Sequence, residues 1–129
     1  MRAALIFLTV FFIPFSSSGQ GNDSVHVKNR YILLFSPDVN NAKYQQELLL
    51  LAKDPLGLDR RNILILEIFP EGGLEADGTS MEEERAQKLR TDYGVNNDEF
   101  LLILVDADQR VKLRKNDTAG CTELFRLLD

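Results

Sequence analysis

The chain has 129 residues, 44% of them hydrophobic and 27% charged, the size and composition of one globular domain that can bury a core without metals. Its formal net charge of −5, from 20 acidic and 15 basic side chains, has the wrong sign for holding phosphate backbones and argues against a nucleic-acid partner. One cysteine, Cys121, cannot close an internal disulfide, so stability must come from packing.

Residues 1–19 read as a signal peptide. Arg2 gives a positive start, and Ala3 to Ile13 is apolar apart from Thr9. Pro14 and the small residues of "SSSG" then supply a cleavage site. The apolar stretch is well short of the ~20 residues that a membrane-spanning helix needs. Cleavage removes one arginine and leaves 14 basic against 20 acidic side chains, a net charge of −6. The expected product is an exported acidic protein, periplasmic or extracellular, with no membrane span in the mature chain. Residues 20–29 are polar, lack periodicity and read as a flexible leader. They hold His26, the single histidine, with no second ligand beside it.

The domain is expected over 30–129. Tyr31 to Phe35 is an apolar run bounded by Ser36-Pro37, as in a strand buried on both faces. Asn40 or Asn41 can cap a following helix. In that helix Tyr44, Leu48, Leu51 and Ala52 recur at helical spacing, Leu49 and Leu50 widen the stripe, and Pro55 stops it. "NILILEIF" (62–69) is a second doubly buried strand, followed by the glycine-rich loop "PEGGLEADG". Ser80 with Glu83 forms a capping-box pattern, and Glu82 and Glu84 suit the positive end of a helix rather than a metal. Ala86, Leu89 and Tyr93 carry that helix's buried face, and Gly94 ends it. Phe100 to Val105 is a third central strand. Val111 and Leu113 alternate with Lys112 and Arg114, as in an edge strand that charge protects from pairing. The basic cluster Lys112, Arg114 and Lys115 reads as a solvated face. Asp117 or Thr118 caps a last helix with apolar positions Cys121, Leu124, Phe125 and Leu128. The fold class is therefore α/β and thioredoxin-like, in the order β-α-β-α-β-β-α, with a four-stranded mixed sheet flanked by helices.

That arrangement has a place for a reactive thiol, at the strand–helix junction where free amides stabilise a thiolate. The junction here carries Ser36, Pro37, Asp38, Val39 and Asn40, with no thiol, and Asp38 adds charge of the wrong sign. The proline expected before the third strand, cis in the redox enzymes, is replaced by Asn96, Asn97, Asp98 and Glu99. Cys121 shares the apolar face of the last helix and reads first as packing. "DADQRVKLRKND" starts like a calcium loop at Asp106 and Asp108 but puts Arg110 at the third ligand position and Val111 where the turn glycine belongs, so a β-turn is expected. Ser36 and His26 lack any hydrolase motif, and the glycine-rich loop follows no phosphate-loop spacing. No catalytic, metal-binding or cofactor-binding residue is assigned.

The segments "RYILLFSPDVNNAKYQQELLLLA", "DRRNILILEIF", "LRTDYGV" and "FLLILVDADQRVKLR" together resemble the domain-of-unknown-function family 4174. That family comprises small exported bacterial proteins and modules of animal extracellular proteins, among them sushi-repeat-containing proteins and coiled-coil domain-containing protein 80. The resemblance covers Arg30 to the C-terminus. It implies a thioredoxin-like fold and export, and brings no established catalytic residue with it. The family pattern has glycine in the turn after the third strand, where this chain has Ala107-Asp108-Gln109, and a few more residues after the last helix, where this chain stops at Asp129. The expected function is a non-catalytic module contacting a protein or ligand in the exported compartment through Ser36–Asn41 and Asn96–Glu99, where amides of the first helix are open to an anionic group. The alternative is a divergent thiol oxidoreductase or peroxide-handling protein using Cys121. A third reading is an accessory role in assembly or stress response.

Overall fold

A computed structural model describes residues 28–129; the expected signal peptide, most of the leader and His26 lie outside the described residues. Ten elements follow in chain order: β1 (Arg30–Phe35), α1 (Ala42–Leu51), α2 (Pro55–Arg60), β2 (Ile63–Phe69), β3 (Gly72–Leu74), β4 (Ser80–Met81), α3 (Glu83–Tyr93), β5 (Leu101–Val105), β6 (Val111–Lys115) and α4 (Cys121–Leu128). The apolar runs form the middle of the sheet. β1 pairs in parallel with β2, from Arg30↔Ile63 to Phe35↔Ile68, and antiparallel with β5, which in turn carries β6. Parallel strands need a crossover, and α1 and α2 supply it.

The sheet has six strands in the order β4-β3-β2-β1-β5-β6, not the four expected. The two extra strands come from the glycine-rich segment. Gly72–Leu74 folds back antiparallel on β2, and Ser80–Met81 pairs with it through Leu74↔Ser80. This turn-back depends on Gly73, where an added Cβ would stand 1.9 Å from the Glu67 carbonyl oxygen. Any side chain there must push β3 off β2. Gly73→Ala is expected to cost about 2 kcal/mol, read as a lower urea midpoint; an unchanged midpoint would mean that β3 contributes nothing to the fold.

Three helix starts also differ. The first helix ends at Leu51, and Pro55 opens α2, where Asp54 Oδ1 accepts the Gly57 amide at 2.9 Å. A missing N–H costs nothing in a helix's first turn, so proline fits there. Ser80 does not cap α3, because β4 has taken it; Glu82 is the N-cap and makes no side-chain cap bond. Neither Asp117 nor Thr118 caps α4, whose N-cap is Gly120. Of the two candidate caps, Asn40 and Asn41, Asn41 caps α1, its side chain accepting the Tyr44 amide at 3.0 Å, and Gly94 ends α3 in the left-handed conformation at φ 65°.

Two cores lie on opposite faces of the sheet. One packs Ile32, Leu34, Leu102 and Leu104 under α1, α2 and α4; the other packs Leu33, Phe35, Ile68 and Ile103 under α3. β1 and β5 are thus buried on both faces, as their unbroken apolar runs predict. β2 is not: Leu64, Ile65, Glu67 and Phe69 are only half-buried. The α1 stripe is also narrower than expected, with Leu49 70% exposed, Ala52 exposed and Glu47 fully buried in the seam.

Candidate functional site

The two segments expected to form a binding edge are brought together by a residue that sequence reasoning missed. Arg90, on α3, is 4% exposed and forms no ion pair with a carboxylate among the described residues. Its Nη2 donates to the Ser36 carbonyl at 2.9 Å and its Nη1 to the Asn96 carbonyl at 2.7 Å, while Nε is buried without a partner among the described residues. The guanidinium carbon stands 5.9 Å from the Phe35 ring centroid. Burial lowers the Arg90 pKa, and the neighbouring Glu99 opposes that shift.

Each segment is also closed by its own hydrogen bonds. The fully buried Ser36 donates its hydroxyl to the Asp38 carbonyl at 2.8 Å, and its amide continues the parallel ladder to Ile68. Asp38 Oδ1 accepts the Asn40 amide at 2.8 Å, and Asn41 holds the Tyr44 amide. A carboxylate of the chain itself therefore occupies an amide at the mouth of α1, and the junction presents negative charge. In the second segment Glu99 accepts the Asn96 amide at 2.9 Å and the Asn116 side chain at 2.8 Å. The Asn96 amide bond, ahead of Asn116, is what most lowers the Glu99 pKa. No cis peptide bond occurs among the described residues. Beside the junction, Pro37, Asp38, Val39, Phe69 and Glu71 line a shallow depression of about 330 Å³, and Val39 is 55% exposed in it.

Cys121 lies elsewhere. Its Sγ contacts the carbonyl oxygens of Leu50 at 3.5 Å and Leu51 at 4.0 Å, at the C-terminal end of α1. The junction is at the other end of that ten-residue helix, about 15 Å away along its axis. Burial pushes the Cys121 pKa up, and the carboxylates of Asp54 and Glu47 add to the rise. The carbonyl end of a helix also disfavours a thiolate.

The other sequence-level candidates have structural partners. Asp106 and Arg110 close a turn through backbone bonds, with Gln109 at φ 69°. Asp106 also accepts Arg30 Nε at 3.1 Å. All three basic-cluster side chains are engaged within the domain: Lys112 lies 4.0 Å from Asp106, Arg114 donates to the Tyr93 carbonyl at 2.6 Å at the end of α3, and Lys115 lies 3.3 Å from Glu123. Glu82, Glu83 and Glu84 are exposed at the start of α3. Among the described residues no helix is long and apolar enough to cross a membrane.

Residues 23–129 match the family model of the domain of unknown function DUF4174, and the chain belongs to that family. No curated protein matches it. Its fold is similar to that of a reduced 2-Cys peroxiredoxin of Plasmodium vivax, at a TM-score of 0.54 and 15% identity over 77% of this chain and 74% of that one. At that identity the likeness concerns the fold alone. The thioredoxin-like α/β architecture expected from the element order is present, with two additional strands.

Proposed function

We propose that this domain is an exported, non-catalytic binding module that uses the β1–α1 junction edge, Ser36–Asn41 with Asn96–Glu99, to contact a protein or ligand. The observation that carries this reading is how the junction is built. Where a thiolate would need free amides and positive charge, Asp38 fills an amide and Arg90 is spent on the carbonyls of Ser36 and Asn96. The edge is held in one geometry by bonds from α3 to the loops after β1 and before β5, as a preorganised contact surface requires. Its exposed chemistry, Val39 beside Asp38 and Glu71, suits an apolar contact with a basic neighbour. Export rests on residues 1–19 and on the family resemblance.

The rival chemistry runs through Cys121, and one experiment separates the two readings. The purified protein and Cys121→Ser are assayed for dithiol-dependent disulfide reduction and for peroxide turnover. We expect both proteins to match the buffer rate, and the native thiol to label only after denaturation. Activity present in the wild type and lost in Cys121→Ser would overturn the non-catalytic reading and make Cys121 the nucleophile.

A further inference from the structure

The sheet face above β2 and β3 carries a second candidate site, remote from the junction in chemistry and in lining. The helices on that face cover β1, β5 and part of β2, and none of them closes over β3, whose partner helix α3 lies on the opposite face. A groove of about 370 Å³ remains, within the size range of small-ligand pockets. Its walls are Leu48 and Leu51 of α1 and Leu58 of α2; its floor is Ile65 and Leu74, with Glu67 between them.

Glu67 is the anomaly. It sits on the inward face of β2, directly paired with Leu34 and Leu74 in the ladder, a position that the alternation of β2 assigns to an apolar residue. Its Oε1 accepts the Tyr44 hydroxyl, whose ring packs edge-on against Phe69 at 5.2 Å between centroids. Burial and the hydrogen bond to Glu67 together raise the Tyr44 pKa, so the phenol stays a donor. Oε2 receives no hydrogen bond from a described residue, and no lysine or arginine of the described residues forms an ion pair with the carboxylate. The other carboxylate on the rim, Glu75, is already bound by Arg85 at 2.6 and 3.1 Å. A negative charge in apolar surroundings needs a cation more than one in water does, and the domain leaves this one open.

We propose that the groove binds a short peptide segment of a protein partner that presents a lysine flanked by aliphatic residues. The ammonium meets Glu67 Oε2, and the alkyl stem and its neighbours cover Leu48, Ile65 and Leu74. Charge complementarity selects the occupant: an apolar segment alone would bury the carboxylate unpaired, and an acidic one would meet like charge. The site stands whether or not the junction edge binds anything.

The test uses the 15N-labelled protein and two blocked tripeptides, acetyl-Leu-Lys-Leu-amide and its norleucine analogue, which keeps the stem without the charge. We expect the lysine peptide to shift the amides of Leu48, Ala52, Leu74 and Gly78 saturably, and the norleucine peptide to bind on the order of tenfold more weakly, as loss of a charged hydrogen bond predicts. In Glu67→Gln, which still accepts from Tyr44, the two peptides should bind alike. Ala76→Trp, which fills the groove from an exposed turn, should abolish both shifts. Equal affinity of the two peptides for the wild type, shifts confined to Asp38 and Val39, no saturable shift at millimolar peptide, or binding that survives Ala76→Trp would each overturn the assignment.

Discussion

Raising the pH from about 5 to 8 is expected to lower the stability of this domain by ~2–3 kcal/mol, and Glu47→Gln is expected to remove most of that loss. Glu47 is fully buried on α1; its Oε1 accepts the Ala119 amide at 2.8 Å, and its Oε2 is buried without a partner among the described residues. Burial raises its pKa from 4.5 to about 7, against the opposing effects of the Ala119 amide and Lys115, with Glu123 adding to the rise. The sign follows from proton counts. Between roughly pH 4.5 and 7 the folded state holds a proton on Glu47 that the unfolded chain has lost, so the fold binds more protons and stability falls as pH rises. The contribution is whole below pH 4.5, declines across the window and is flat above about 7. Asp77, Glu99, Asp106 and Asp129 are shifted the other way and act at lower pH. Urea unfolding of both proteins at pH 5, 6, 7 and 8 checks this. A flat wild-type profile refutes the raised carboxyl, and an equal slope in Glu47→Gln moves it to another group.

Glu47 also holds the segment that leads into α4. Local rules favour Asp117 or Thr118 as its cap, and Asp117 Oδ1 does take the Thr118 amide at 2.8 Å. But the Ala119 amide, just ahead of the Gly120 N-cap, is satisfied from α1, 72 residues away in sequence. A side chain reached through tertiary packing holds the residue ahead of the N-cap, and no window of sequence around residue 119 contains that information. The same holds for Arg90. On a helix with two glutamates in its first turn and Lys88 and Asp92 on its surface, Arg90 reads as one more solvated charge. Only the fold brings it to two carbonyls.

What the sequence did carry was whatever depends on near neighbours. Apolar runs placed β1, β2 and β5, unbroken in the first and last, the alternation of Val111 and Leu113 with charges placed β6 on the edge, and Asn41 and Gly94 bounded their helices. Strands β3 and β4 left no such signal. At three and two residues they are too short to show a period, and two of their five positions are glycines: Gly73 lets the backbone approach β2, and Gly72, at φ 145°, lies close against the Met81 carbonyl of β4. Glu67 is a related case: one charged residue within "ILILEIF" does not break the strand pattern, but it marks the place where the inward face goes uncovered. The absence of a junction thiol was legible outright. That the vacated junction is locked by Arg90 was not.

Arg90→Ala is expected to cost about 4 kcal/mol, a large share of a total near 5–15 kcal/mol. Two opposed effects decide the figure. Each hydrogen bond from the guanidinium to a carbonyl contributes ~1.5–3 kcal/mol, and the truncated stem leaves a void beside Phe35. Against this, the mutation relieves the burial of a charge that has no carboxylate and whose Nε is unsatisfied. Arg90→Met separates them, because it keeps most of the stem and discards both the charge and the donors. If the clamp dominates, Arg90→Met loses about 2 kcal/mol, Arg90→Lys falls between it and the wild type, and amide exchange quickens first in Ser36–Asn41 and Asn96–Glu99. If desolvation cancels the hydrogen bonds, Arg90→Met matches the wild type. The edge would then be fixed by the strands alone, and Arg90 would no longer explain how a junction without its thiol keeps its shape.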